Sequence, residues 1–347
     1  MFARVAPQTL RPRSPQVVLG EYHDAWTFSP DGSRVAFGIS SPAANGVGPR
    51  VGVRIVDVTR MTATRDVSTG IAAEALGWLA PRRLVALLQS GELNLIDPDT
   101  GAILSRQSVG PFKMQCVPQP SAITRRGFVL LLASRGRTPS RLLLVTAQGR
   151  VRTVPLPRVP LGGNCGRGGL ALDDAGSRAF VFGRGSLVAE IDLSTMQVTY
   201  HRVAAHRSAP ARRRGALWLG NGVVAVFGQD KARSPMGVEV INTKTWTSRS
   251  IQRNAGAARS FARGLLVYDA EYDPDASRRG IGLRAYRPDG RKLFHVLGRE
   301  KVWDVQVAGS YAYAFSATLL HVVDLNSGKV VSRSKHAGVR TELVKVP

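Results

Sequence analysis

Along the chain, short apolar runs alternate residue by residue with polar positions and are cut at close intervals by Gly, Pro, Asp or Asn. The clearest stretch runs from Ala25 to Phe37. It alternates through Trp26 and Phe28, breaks at Pro30-Asp31-Gly32 and resumes at Val35. Alternation with period two marks a half-buried strand. Pro followed by Asp-Gly supplies the fixed φ and then the positive φ of a tight turn. The stretch therefore predicts a hairpin. The same hairpin recurs at Leu170 to Phe180 and at Trp303 to Ala312. In all three copies, apolar residues stand six and four positions before the turn glycine: Trp26 and Phe28, Leu170 and Leu172, Trp303 and Val305. Looser copies lie at Leu76 to Leu84, Leu217 to Val223 and Ser260 to Leu265, and the weakest spans Ser121 to Ala133.

A second phrase follows the hairpins: Ile55-Val56-Asp57-Val58, Leu95-Ile96-Asp97, Glu190-Ile191-Asp192-Leu193, Val240-Ile241-Asn242 and Val322-Val323-Asp324-Leu325, each leading into a polar turn. An Asp or Asn at that place closes the turn by accepting from backbone N–H groups just ahead of it. Hairpin, third strand, turn and fourth strand make one four-stranded unit. Seven such units begin near Ala25, Ala75, Gln115, Gly168, Gly215, Ser260 and Val302, 40 to 53 residues apart, close to the blade spacing of about 40 to 50. The expected fold is all-β: a single seven-bladed β-propeller of four-stranded antiparallel blades over residues 17–347, preceded by a disordered N-terminal arm, 1–16. An open ring would expose sheet edges. Val17-Val18-Leu19 or Leu343-Val344-Lys345-Val346 is therefore expected to pair into a terminal blade.

Through the third-strand phrase before a Thr-Gly or Ser-Gly turn, and through Phe28-Ser29-Pro30-Asp31-Gly32, nearly the whole chain resembles the YVTN and WD-repeat-like propellers of bacteria. The resemblance implies a fold. No blade carries the Gly-His start or Trp-Asp end of eukaryotic WD repeats, so that family's protein-interaction role transfers only weakly.

Charge changes the picture next. The chain holds 48 basic against 24 acidic residues, a net +24; its sequence pI is near 11.3. Only 8 of the basic residues are lysine, a ratio that GC-rich coding explains, although coding bias does not explain the shortage of acids. So positive a field attracts polyanions. The anion-binding candidates are Arg167, Arg212, Arg213, Arg214, Arg278 and Arg279, read as loop residues; Arg125, Arg126, Arg135, Arg137, Arg253, Arg259 and Arg263 add density, and solvated loop charge is the competing reading. No recognition helix or RNP-type strand accompanies them, which argues against nucleic acid as partner. No window reaches eighteen apolar residues, so no transmembrane segment is expected. The opening Met1-Phe2-Ala3-Arg4 lacks the apolar run of a signal peptide as written. Cys116 and Cys165 lie one blade apart, at corresponding places ahead of an innermost strand, where a disulfide fits. Such a bond points to an oxidising compartment; free thiols point to the cytoplasm.

No constellation for chemistry stands out. Asp269, Glu271, Asp273 and Asp275 alternate like calcium ligands, but the loop lacks the glycine and closing Glu of a calcium loop. Gly162 to Gly169 is rich in glycine, but has no Gly-Lys-Ser/Thr ending, which excludes a P-loop. Of the six histidines only His201 and His206 are close in sequence, with no third zinc ligand nearby. No Gly-x-Ser-x-Gly elbow occurs. Trp26, Trp78 and Trp303 sit at first-strand positions suited to packing between blades. These observations favour a monomeric, non-catalytic and extracytoplasmic binding propeller with a basic surface, without cofactor or metal, for a protein or an anionic polymer. The alternatives are a propeller enzyme of lactonase, lyase or hydrolase type with its site at the central channel, and a cytoplasmic interaction scaffold.

Overall fold

The computed structural model describes residues 6–8, 11, 13–15, 17, 21–41, 51–112, 120–133, 138–161, 168–203, 211–230, 234–269, 280–316 and 319–335; for 21–24, 41 and 211–213 it describes the backbone alone. These residues form seven four-stranded sheets and no helix. Blade one contains β1 (Glu21–Phe28), β2 (Arg34–Ser41), β3 (Gly52–Asp57) and β4 (Thr62–Ser68). Blade two contains β5 (Ala73–Ala80), β6 (Arg83–Leu88), β7 (Glu92–Ile96) and β8 (Ile103–Ser108). Blade three contains β9 (Ser121–Thr124), β10 (Gly127–Leu132), β11 (Arg141–Val145) and β12 (Val151–Pro155). Blade four contains β13 (Gly169–Leu172), β14 (Arg178–Phe182), β15 (Leu187–Asp192) and β16 (Val198–Arg202). Blade five contains β17 (Ala211–Trp218), β18 (Val223–Asp230), β19 (Pro235–Asn242) and β20 (Thr247–Gln252). Blade six contains β21 (Ala257–Phe261), β22 (Gly264–Tyr268), β23 (Leu283–Tyr286) and β24 (Lys292–Val296). Blade seven contains β25 (Asp304–Ala308), β26 (Tyr311–Phe315), β27 (Leu319–Asp324) and β28 (Lys329–Lys335).

In every sheet the four strands are consecutive and antiparallel. Strand direction alternates, so the turns between first and second and between third and fourth strands share one face, the turn face. The second-to-third connections and the crossovers to the next blade share the other, the crossover face.

The Asp/Asn phrase works as its chemistry predicts. Oδ1 of Asp57, Asp97, Asp192, Asn242 and Asp324 accepts from backbone N–H groups two or three residues ahead. In each case the residue four positions on returns its N–H to the carbonyl of the Asp or Asn. That residue adopts positive φ. It is Gly101 or Gly328 in two turns and Met61, Met196 or Trp246 in the other three, where a side chain occupies a conformation that ordinarily favours glycine.

The core lies between the blades. β10 and β11 are buried at every position, whereas β4 is exposed at all but Val67. Second and third strands are covered on both faces by neighbouring blades, and fourth strands face solvent. Trp78, 1% exposed, belongs to the cluster between blades one and two; Trp26 packs on Phe28, and Trp303 on Phe315. Within the stretch expected to be a disordered arm, Ala6 is buried and Pro7 and Gln8 hydrogen-bond to blade seven. Val17 is buried against blade one. No strand is shared between the first and last blades among the described residues; Leu343 to Val346 lie outside them.

One expectation is corrected here. Arg212, Arg213 and Arg214 are strand residues of β17, not loop residues. A bulge between Ala211 and Arg213 shifts the register there, so three consecutive arginines enter the sheet without the alternation that announces a strand.

Candidate functional site

A cavity of about 290 Å³ opens on the crossover face at the mouth of the central channel. Its wall comes from the starts of the innermost strands of blades three, four, six and seven, from Arg214 to Leu217 of β17 in blade five, and from the ends of β18 and β22. Glycines supply much of it. At Gly169 a Cβ would stand 2.9 Å from the Cβ of Ala216 and 3.0 Å from the carbonyl carbon of Gly215, so β13 and β17 approach as closely as they do only because position 169 has no side chain.

The polar side chains of the cavity are Ser121, Arg214, Gln229, Arg259, Tyr268, Trp303 and Asp304. Arg214 is 4% exposed and donates from Nε to the Gly183 carbonyl at 3.0 Å. Burial pulls its pKa down to about 10, while the charge of Glu239 pushes it up; it stays a cation. Arg259, on the next blade, is half exposed. It donates from Nε to the Val305 carbonyl at 3.0 Å and lies 3.7 Å from Asp304. Tyr268 is buried, and its hydroxyl is pushed up to about 12, chiefly by that burial. The indole of Trp303 donates to the Ser316 carbonyl at 2.9 Å. The cavity is thus lined by two cations and one carboxylate against a glycine-rich wall, with the buried Glu239 partly offsetting Arg214 from outside the lining.

Among the sequence candidates, Arg214 alone is placed in this cavity with its side chain described. Arg212 and Arg213 precede it on β17. Arg167, Arg278, Arg279, Cys116 and Cys165 lie outside the described residues, as do Glu271, Asp273, Asp275 and His206. Asp269 is described. Its carboxylate accepts from the N–H groups of Ile281 and Val302 at 3.1 to 3.2 Å, and burial raises its pKa to about 6. It clamps the two ends of the 269–302 segment. No group of three metal-ligating side chains occurs among the described residues. His201 is in β16, 2.9 Å from Glu190 and stacked on Trp246 with ring centroids 3.8 Å apart.

Much of the surplus of arginine proves to be architectural. Arg65 on β4 donates to the Asp99 carbonyl of blade two at 2.8 Å, and Arg152 on β12 to the Ser194 carbonyl of blade four at 2.7 Å. Arg249 on β20 donates to the Asp289 carbonyl of blade six. All three run from a fourth strand to the third-to-fourth-strand turn of the next blade, and Gln107 on β8 makes the same bridge to Gly149. The turn glycines make room: a Cβ on Gly101 would meet the Arg65 stem at 3.1 Å, and one on Gly290 would meet the Arg249 guanidinium at 2.7 Å. Arg83 and Arg263 reach next-blade carbonyls as well, and buried Arg141 caps the carbonyls of Val109, Gly110 and Pro111. A guanidinium bound to carbonyl dipoles needs no carboxylate, so this architecture adds cations without adding acids. The sequence carries no signal for these bridges, since a carbonyl is available at every residue.

Ser316, His321 and Glu300 also meet, but not as a relay. Ser316 Oγ at 3.3 Å and Glu300 Oε2 at 2.6 Å both address Nε2 of fully buried His321, and its Nδ1 has no partner among the described residues. A base that activates a hydroxyl needs the carboxylate on the other ring nitrogen.

No protein-family model matches the chain, and no curated protein matches it in sequence. Solved structures do match in shape. BamB from Moraxella catarrhalis is 15% identical, with a TM-score of 0.57 over 87% of this chain and 83% of that one. The dihydro-heme d1 dehydrogenase NirN, in complex with DHE, is 13% identical, with a TM-score of 0.63 over 94% and 69%. A chain of the mitotic checkpoint complex is 13% identical, with a TM-score of 0.52 over 91% and 94%. At these identities the likeness concerns the fold. With seven consecutive-strand sheets and turns closed by an Asp or Asn in five of them, the chain has the fold of a seven-bladed β-propeller, the architecture these structures share with it.

Proposed function

We propose that this propeller is a binding protein that engages an anionic partner, a polymer or an acidic protein, through its crossover face, with the cavity at the channel mouth as the anchor point. The observation that carries the reading is the convergence of Arg214 and Arg259, from adjacent blades, on one concave site in which Asp304 is the one lining carboxylate and Glu239 acts on Arg214 from behind the wall. Concave sites with a few convergent polar groups are where ligands are ordinarily held. The chain carries further basic residues near these strands, at Arg212 and Arg213 ahead of Arg214 and at Arg278 and Arg279 between β22 and β23. The net +24 steers anions toward any face; the cavity gives the crossover face the specificity.

Fluorescent dextran sulfate, with neutral dextran as control, tests the reading by titration at several salt concentrations. Dextran sulfate is expected to bind, with affinity falling as salt rises. Arg259→Glu combined with Arg212→Glu and Arg213→Glu is expected to weaken binding at least about tenfold. Arg125→Glu with Arg126→Glu, on the turn face, is expected to leave it nearly unchanged. Absence of binding at low salt, or equal losses from both sets, overturns the proposal.

A further inference from the structure

At six of the seven blade junctions the facing sheets share one apolar cluster. Blades one and two meet in the cluster of Ile55 and Trp78, two and three around Phe128, three and four around Leu131 and Val181, four and five around Phe180, five and six around Val240, and six and seven around Leu266. The seventh junction differs. Among the described residues, blade seven contributes Tyr313, Phe315, Leu320 and Val322 to one cluster, and blade one contributes Val35, Phe37, Ile39, Val56, Val58 and Met61 to another. The two do not merge.

The amino-terminal residues touch both sides of this seam. Val17, 7% exposed, belongs to the blade-one cluster. Ala6 is buried, and its N–H donates to the Arg11 carbonyl at 2.9 Å. On blade seven, the Tyr313 hydroxyl donates to the Pro7 carbonyl at 2.9 Å, and Nε2 of Gln8 donates to the Tyr311 hydroxyl at 2.6 Å. Tyr313 is itself 4% exposed. A buried phenol that loses its acceptor bears the full cost of its desolvation.

We propose that the cleft between blades seven and one is a segment-binding groove, and that its occupant is the chain's own amino-terminal arm, which closes the ring in place of a shared strand. The groove reads its occupant through a backbone carbonyl, one amide side chain and small apolar residues. It therefore suits an extended peptide rather than a folded surface. Among the described residues every blade has its own four consecutive strands and none crosses the seam, and the arm residues are what touch both of its sides.

The experiment compares amide hydrogen exchange in the full chain and in a variant lacking residues 1–16. Exchange is expected to accelerate about tenfold in β1–β4 and β25–β28 and to stay unchanged in β9–β16. A synthetic peptide of residues 1–20 is expected to restore protection to the truncated variant. Unchanged exchange, or loosening spread evenly over all blades, overturns the proposal. Tyr313→Phe with Gln8→Ala in the full chain removes both hydrogen bonds while retaining the apolar packing, and serves if truncation prevents folding. Proteolytic cleavage within residues 1–16 is expected to accelerate in that variant, and an unchanged rate overturns the proposal. A dilution series completes the test: protection of the seam that vanishes with dilution makes the occupant the arm of a second copy and refutes the intramolecular strap.

Discussion

Replacing Arg65, Arg152 and Arg249 together by methionine separates two accounts of the charge. Methionine keeps most of the apolar stem of each arginine and removes the guanidinium that reaches the next blade. A hydrogen bond from a charged donor is worth about 1.5 to 3 kcal/mol when protected. These groups are largely solvent-exposed, so about 1 kcal/mol each is the screened value. The three bridges lie on different blades and share no partner, so their losses add to about 3 kcal/mol. In urea, with a slope of about 3 kcal/mol/M for a chain of this size, the midpoint is expected to fall by about 1 M. The opposite account treats the arginines as mutually repelling surface charge, whose removal from a +24 chain stabilises the fold, most strongly at low salt. The control is Arg125, Arg126 and Arg150 to methionine, three exposed turn-face residues with no guanidinium hydrogen bond among the described residues; it is expected to leave the midpoint unchanged or raise it slightly. A stapling triple variant as stable as the parent at both low and moderate salt refutes the bridging argument.

Three further outcomes follow from the same geometry. Asp269 has a folded pKa of about 6 against 3.8 unfolded. The folded state therefore holds the extra proton between those values, and stability falls as pH rises from 3.8 to 6, by up to about 3 kcal/mol. Asp269→Asn is expected to remove that slope in urea titrations across pH 4 to 7. The turn caps have the opposite sign: Asp31 and Asp192, lowered to about 2 mainly by their serine neighbours, stabilise fully above pH 3.8 and lose that contribution as pH falls toward 2. Asp192→Ala is expected to flatten the acid limb of the thermal midpoint against pH. Gly169→Ala forces a Cβ against Ala216 at 2.9 Å; it is expected to cost about 1 to 3 kcal/mol by overpacking, read from chemical denaturation.

The blades were legible because each depends on local chemistry. Alternation gave the hairpins, and one Asp or Asn per unit closed its own turn, as at Asp57 and Asn242. The site was not legible in the same way. Arg214, Gln229, Arg259 and Asp304 come from three blades and converge only when the ring closes. The triple arginine misled for a related reason: it offers neither an apolar run nor alternation, the two strand signals a sequence carries, and the bulge after Ala211 shifts the register there. The bridging arginines left no trace at all, because each needs only a carbonyl at the right distance. The seam was half visible. Val17 was a candidate for ring closure, and it does lie at the junction, buried in the blade-one cluster, while Val18 and Leu19 lie outside the described residues.

The contact between Pro7 and Tyr313 joins residues 306 positions apart. During synthesis the arm emerges before every blade, and its docking tyrosines only with the seventh. At about 5 to 20 residues per second the arm waits roughly 15 to 60 s for them. Throughout that interval the growing ring is an arc, with the apolar flank of its first blade uncovered. The residues that finish the ring are made ahead of all its blades, and chaperone demand should peak just before the seventh blade appears.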